Sequence, residues 1–307
     1  PLHIELDGKQ ENDNKQVKIG TTKKGIGPCY SDAVSRIGIR FGDLFEKENL
    51  IQRINNLLSF HGRASQNAEA LAVKLIEAGK RLQPYLEQIP YLLQKVSNKK
   101  LLFEGAQGSL LDINFGTYPF VTSSHTIVGG IPVGTGYSKK IDRVVGVYKS
   151  YYTRVGEGPF PTELLDEIGE RIRVQGNEYG STTGRPRRCG WFDAVAAKFT
   201  AMINNIDEIA LTLLDVLSGI DKLKICTKYH IDDQLTDEFP YSANTLSKAK
   251  PEYIELEGWK EDISNIKEYN KLPENTKEYI SKIEEILKVR VSIVSVGPNR
   301  SQTIFGG

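Results

Sequence analysis

Twelve consecutive residues, Gly180-Ser181-Thr182-Thr183-Gly184-Arg185-Pro186-Arg187-Arg188-Cys189-Gly190-Trp191, bring together three hydroxyls, three guanidinium groups and flexible glycine. Guanidinium forks take up carboxylate or phosphate oxygens in pairs, and each charge-assisted bond contributes about 1.5–3 kcal/mol. Hydroxyls and backbone N–H groups at a following helix start add donors for the same anion. Crowding like charges brings no structural gain, so the loop is read as the holder of a small polyanionic substrate. A solvated basic loop is the plainer alternative, because surface charge runs are common.

Other segments carry weaker signals. Gly20-Thr21-Thr22-Lys23-Lys24-Gly25-Ile26-Gly27-Pro28 has the glycines, hydroxyls and lysines of a phosphate loop. It lacks the Gly-Lys-Ser/Thr ending of a Walker A sequence, and a flexible turn explains the same residues. In Gly105-Ala106-Gln107-Gly108 an amide sits between glycines, able to donate to a phosphoryl oxygen and accept from a ring N–H. An ordinary tight turn is the alternative. Asp112 to Thr122, followed by Ser123, Ser124 and His125, holds too many hydroxyls for a strand core and suggests more phosphate donors. Asp215 closes an apolar run, where its carboxylate matches the N1–H and exocyclic amine of guanine. A helix N-cap would use the same residue type.

The elements that must position these residues are legible as apolar runs and helical spacings. Leu101–Phe103, Val144–Tyr148, Ile209–Leu214, Leu223–Cys226 and Val291–Ser295 read as buried strands. Leu50, Ile51, Ile54, Leu57 and Leu58 share a helical face, as do Phe192, Val195, Phe199, Met202 and Ile206, and again Ile280, Ile283, Ile286 and Leu287. Residues 65–98 read as mostly helical, ended or kinked at Pro84 and Pro90. Residues 230–275 are polar, acidic and proline-punctuated, and read as a surface excursion. Alternating strands and helices predict an α/β fold with a largely parallel central sheet flanked by helices, in one unit over 1–307. Loops after parallel strands gather ligands, which groups the 103–108, 156–163, 215 and 297 segments around one crevice with the arginine loop.

Composition sets limits. The 307 residues carry 40 Lys plus Arg against 39 Asp plus Glu, a net charge of +1, so no bulk field draws the chain to nucleic acid or membrane. An RNA-binding use of the arginine loop lacks the aromatic platforms and positive balance it needs. Three cysteines without metal-ligand spacing point to reduced thiols and a cytoplasmic location. No apolar run approaches the length of a membrane span. The four histidines show neither a metal pattern nor a visible carboxylate partner. Gly-x-Ser-x-Gly, zinc-ligand and helix-opening Gly-x-Gly-x-x-Gly patterns are absent from the sequence.

Taken together, segments 19–44, 103–130, 153–164, 176–195, 211–219 and 295–303 resemble, in order, the signature blocks of the adenylosuccinate synthetase family. GSTTGRPRRCGW and FEGAQGSLLDINFGTYPFVTSS carry the resemblance most specifically. It implies GTP-dependent ligation of L-aspartate to IMP in AMP synthesis, through phosphorylation of the IMP 6-oxygen, with Mg²⁺ on the GTP phosphates and catalysis by a homodimer. Residue by residue, it implies IMP contacts from Thr22, Gln107, Thr122 and Arg185, with Arg36 reaching the IMP site of the neighbouring subunit. It places aspartate on Ser181, Thr182, Thr183, Gly184, Arg185, Pro186 and Arg187. It places GTP on Arg187, Leu213, Leu214, Asp215, Ser295, Val296 and Gly297.

Two departures qualify the resemblance. The family's Gly-Asp-Glu-Gly-Lys-Gly-Lys loop, with its catalytic Asp and magnesium ligand, and the general-acid His after it occur nowhere in these 307 residues. The chain starts about where the family's first quarter ends, so by itself it is expected to be inactive, with no catalytic residue or metal ligand of its own and Gln107 only as a supporting polar contact. A non-catalytic truncated paralogue that keeps a nucleotide-binding crevice is the alternative, and the genomic sequence before Pro1 discriminates the two. The second departure is Leu213, where the family usually has Lys in Thr-Lys-Leu-Asp.

Overall fold

Leucine and isoleucine at helical spacing, and β-branched runs between them, fold as their patterns require. In the computed structural model of the chain, residues 1–13, 17–63, 67–180 and 184–306 are described. They form two compact units: 1–104 with 122–124 and 130–138, and 105–121 with 125–129 and 139–307.

The first unit is helical among its described residues, with α1 (Leu2–Asn12), α2 (Ile26–Val34), α3 (Lys47–Phe60), α4 (Ala68–Leu82), α5 (Ile89–Lys95) and α6 (Gly130–Thr135). Leu50, Ile54 and Leu58 of α3 bury against Ala68 and Ala72 of α4, whose small side chains allow close approach. Complete burial of a leucine such as Leu50 contributes about 1.5–3 kcal/mol. Asn67 caps α4 by accepting from the Ala70 N–H, and Lys80 and Arg81 face its negative end. Pro84 lies in the turn that ends α4, and Pro90 in the first turn of α5, where its missing N–H is harmless.

The second unit holds β1 (Val145–Lys149), β2 (Tyr152–Arg154), α7 (Glu167–Gln175), β3 (Arg188–Gly190), β4 (Phe192–Asp193), α8 (Ala194–Asn204), β5 (Glu208–Thr212), β6 (Lys222–Ile231), β7 (Gln234–Thr236), α9 (Ala243–Ser247), β8 (Lys250–Glu257), α10 (Glu274–Leu287), β9 (Arg290–Ser295) and β10 (Thr303–Phe305). Its central sheet runs β1-β5-β9-β10. The first three strands are parallel, in register Gly146 to Ile209 and Ile209 to Val291, while β10 is antiparallel to β9. Ile209, Leu211, Val291 and Val294 are fully buried, as expected of strands covered on both faces. Helix α10 covers β9 with Ile280 and Ile283, and the Tyr279 hydroxyl donates to the Ser150 carbonyl at 2.6 Å. A second sheet joins β4, β6, β7 and β8, and β2 pairs with β3 in a short ribbon. The predicted α/β class and largely parallel sheet are therefore present.

Two local expectations change. Leu101–Phe103 forms no strand, and Leu102 is 92% exposed. No strand among the described residues pairs with this segment, and an apolar run without a ladder partner stays irregular. The 230–275 segment is more than a surface excursion. Its β8 forms the long antiparallel partner of β6, and Trp259, Ile263 and Leu272 enter the core.

Candidate functional site

Strand β5 runs through the core and turns at Leu213, whose φ of 63° is left-handed. Such a backbone costs a non-glycine residue of order 1–3 kcal/mol and persists only when its surroundings hold it. Here the Ser150 hydroxyl donates to the Leu213 carbonyl at 2.9 Å. Leu213 caps the turn Leu214–Leu217, so Asp215 is not the cap. The Asp215 Oδ1 is buried and has no hydrogen-bond partner among the described residues. Burial raises this carboxyl above its usual range; its own amide works against the rise, and the nearby Asp262 charge adds to it. An unmatched buried acceptor costs about 1–3 kcal/mol, a cost that a ligand N–H removes.

Strand β9 packs against the 214–217 turn and ends at Ser295. Beyond it the Ser295 hydroxyl donates to the Gly297 carbonyl at 2.9 Å, and the Val296 N–H to the Gln302 carbonyl at 3.0 Å. A side chain at Gly297 would meet the Gln302 carboxamide at 2.4 Å and displace it from this position. Gln302 in turn donates to the Ser264 carbonyl at 2.9 Å, two residues from Asp262. Leu213, Leu214, Asp215, Ser295, Val296 and Gly297 thus belong to neighbouring turns at one end of the parallel sheet.

The arginine loop has a built neck. The Arg187 N–H donates to the Glu178 carbonyl and the Gly180 N–H to the Arg185 carbonyl, both at 2.9 Å, with an antiparallel bridge between Tyr179 and Pro186. Gly184, Arg185 and Pro186 are exposed; Ser181, Thr182 and Thr183 lie outside the described residues. Glu178, 1% exposed, accepts from Lys149 Nζ at 2.6 Å, the Tyr151 hydroxyl at 2.7 Å and Arg187 Nη1 at 2.6 Å. Burial opposes its charge, but these three donors outweigh burial and hold the carboxyl below its usual range. Arg188 is committed elsewhere, paired through both ends of its fork with Glu163 and lying over the Phe160 ring. Sequence reasoning missed Glu178 and Lys149: an acidic residue nine positions before Arg187 gives no hint of the lysine 29 residues upstream of it.

Gln107 is exposed with φ 63°, in a bend leading into the turn Ser109–Leu111. Asp112, fully buried, organises the chain on either side of it by accepting the N–H groups of Asn114, Phe115 and Thr126 at 2.7–3.1 Å. Burial would raise its pKa, and these backbone donors bring it below the usual range instead. The Asn204 amide anchors the segment to α8 through the Ser109 hydroxyl at 2.9 Å.

In the first unit, Thr22 is exposed and Thr122 half-buried. The Gly20–Pro28 loop engages N–H groups within the chain, Gly20 on Glu11 at 2.7 Å, Lys23 on Thr21 at 3.3 Å and Gly25 on Asp7 at 2.8 Å. Arg36, exposed with φ 64°, lines a cavity of 480 Å³ with His3, Arg40 and Arg53. Arg36, Gln107 and Leu213, three residues singled out from sequence, all hold left-handed backbone without being glycine. The histidines do have carboxylate neighbours, contrary to expectation: His3 and His61 lie 2.7 and 2.9 Å from the buried Asp32, and His230 lies 2.9 Å from Glu252. These partners come from distant parts of the chain, which sequence spacing does not display. No group of three or more His, Cys, Asp or Glu able to hold a metal occurs among the described residues.

A largely parallel sheet, with a carboxylate unmatched among the described residues beyond β5 and the neck of the arginine loop tied through Glu178 to Lys149 at the end of β1, makes this an α/β protein. The family model described as adenylosuccinate synthetase matches residues 1–304. The adenylosuccinate synthetase of Alkaliphilus metalliredigens (strain QYMF) is 46% identical over 316 aligned positions, covering 99% of this chain and 74% of its own length. That of Clostridioides difficile (strain 630) is 47% identical over 317 positions, with 99% and 74% covered. The structure of fully ligated adenylosuccinate synthetase from Plasmodium falciparum superposes with a TM-score of 0.94 at 41% identity, covering 100% of this chain and 75% of that one. The chain belongs to the adenylosuccinate synthetase family.

Proposed function

We propose that the chain carries the substrate-binding surface of a GTP-dependent ligase that joins L-aspartate to IMP. In this reading the GTP phosphoryl group activates the IMP 6-oxygen and the aspartate amine displaces it. Thr22, Gln107, Thr122 and Arg185 hold IMP, with Arg36 supplied by the partner of a homodimer. The 181–187 loop takes the aspartate carboxylates, and Arg187 also meets the GTP phosphates. Leu213, Leu214, Asp215 and the 295–297 turn receive guanine. Positioning and charge neutralisation carry most of such a transfer, and Arg suits both because its fork binds oxyanions in pairs. Mg²⁺ arrives on the nucleotide rather than on residues of this chain. A cytoplasmic setting goes with this reading. Without the family's Gly-Asp-Glu-Gly-Lys-Gly-Lys loop, these 307 residues by themselves lack the proton acceptor for the IMP base and are expected not to turn over.

The observation that carries the reading is the buried, unmatched Asp215 Oδ1 at the end of β5. A guanine ring offers the two adjacent N–H groups such a carboxylate accepts. Substituting Asp215→Asn removes the acceptor for the exocyclic amine and presents a donor to the 2-carbonyl of xanthine. Calorimetry with guanosine and xanthosine triphosphates should show the preference shift towards xanthine by at least about tenfold, worth about 1.4 kcal/mol. Equal binding of both nucleotides before and after the substitution would remove Asp215 from the site.

A further inference from the structure

We propose that Glu178 is the positioning residue of the arginine loop, fixing the Arg187 guanidinium for the anionic group of the substrate. The inference rests on the proposed function, which places Arg187 at the GTP phosphates. Three features of the geometry converge on it. The carboxylate is buried and bridges Lys149 and Arg187, with the Tyr151 hydroxyl as a third donor. The backbone of the same residue accepts the Arg187 N–H, and Arg173 Nε donates to the Arg187 carbonyl at 2.9 Å, so Arg187 is held at both main-chain groups and at Nη1. Gly176 leaves the room this needs, since a side chain there would meet the Tyr151 hydroxyl at 2.2 Å. Two cations share one carboxylate, which leaves a net positive charge for an incoming anion. A guanidinium has five N–H donors, so the Nη1 contact orients the fork without exhausting it.

Position and field make opposite predictions for Glu178→Gln. Removing a negative charge strengthens the field at Arg187 and favours the triphosphate. Removing the clamp lets the guanidinium leave its place and disfavours it. The experiment measures GTP and guanosine binding by calorimetry on the full chain. Glu178→Gln is expected to weaken GTP about tenfold or more, leave guanosine unchanged, and add nothing in an Arg187→Ala background. Unchanged or tighter GTP binding, an equal loss for guanosine, or an additive effect with Arg187→Ala would each overturn the proposal. If Glu178→Gln fails to fold, Lys149→Met serves: Arg187 stays clamped, so GTP should weaken by less than about threefold. A loss as large as that of Arg187→Ala would overturn positioning in favour of field. An unsubstituted chain that binds neither ligand would defeat the proposed function and this inference with it, whereas an unaffected Glu178→Gln defeats this inference alone.

Discussion

Asp193 is a buried carboxylate of the second unit and Asp215 a half-buried one with a single buried oxygen, and their surroundings differ. Asp193 is 3% exposed and fully engaged, capping α8 through the Ala196 N–H and accepting the Tyr229 hydroxyl at 2.5 Å. Burial nevertheless pushes it up to about 6, with these hydrogen bonds only partly offsetting the rise. A carboxyl whose folded pKa lies above its unfolded value stabilises the fold while it is protonated, and that contribution is lost as pH rises through about 6. Stability is expected to fall as pH rises from about 4, the ordinary carboxyl range, to about 6, and Asp193→Asn to flatten the fall by at most about 3 kcal/mol. Chemical denaturation across that range checks it, and an identical pH dependence in both proteins would remove Asp193 from the explanation. Asp215, by contrast, has a buried oxygen with no hydrogen-bond partner among the described residues. The sequence displayed Asp215 because an apolar run leads straight to it. Asp193 and Glu178 stayed hidden because their partners, Tyr229, Lys149 and Tyr151, are distant along the chain.

At the level of elements, the apolar runs that became β1, β5, β6 and β9 were readable because each pairs in a ladder, although β1 buries only one face and leaves Val147 74% exposed. Leu101–Phe103 has the same composition and no partner strand among the described residues, so composition alone misled. Polarity misled in the other direction at 250–272, where the charged strand β8 keeps Tyr253, Ile254 and Leu256 half-buried and Trp259 is buried beyond its end. The end of α7 shows how an element fixes a loop. Gly176 closes the helix and lies under the Tyr151 hydroxyl that reaches Glu178. Gly176→Ala should destabilise the fold by about 1–3 kcal/mol through overpacking. Adding Tyr151→Phe, which removes the clashing oxygen, should recover part of that loss. Urea unfolding of the single and double variants decides it, and strictly additive losses would mean the contact is not the cause.

For the whole molecule, the chain matches its relatives over nearly its full length while covering about 74% of theirs. The candidate residues singled out from sequence that lie in described segments occur in both compact units, Thr22, Arg36 and Thr122 in the first and Gln107, 184–187, 213–215 and 295–297 in the second. The most direct test is adenylosuccinate formation from IMP, GTP, Mg²⁺ and L-aspartate. It is run on the 307-residue chain and on the chain extended by whatever its gene encodes before Pro1. No product is expected from the 307 residues, and product is expected from an extension that supplies the Gly-Asp-Glu-Gly-Lys segment. Turnover by the 307 residues, or silence from a chain carrying that segment, would contradict this reading.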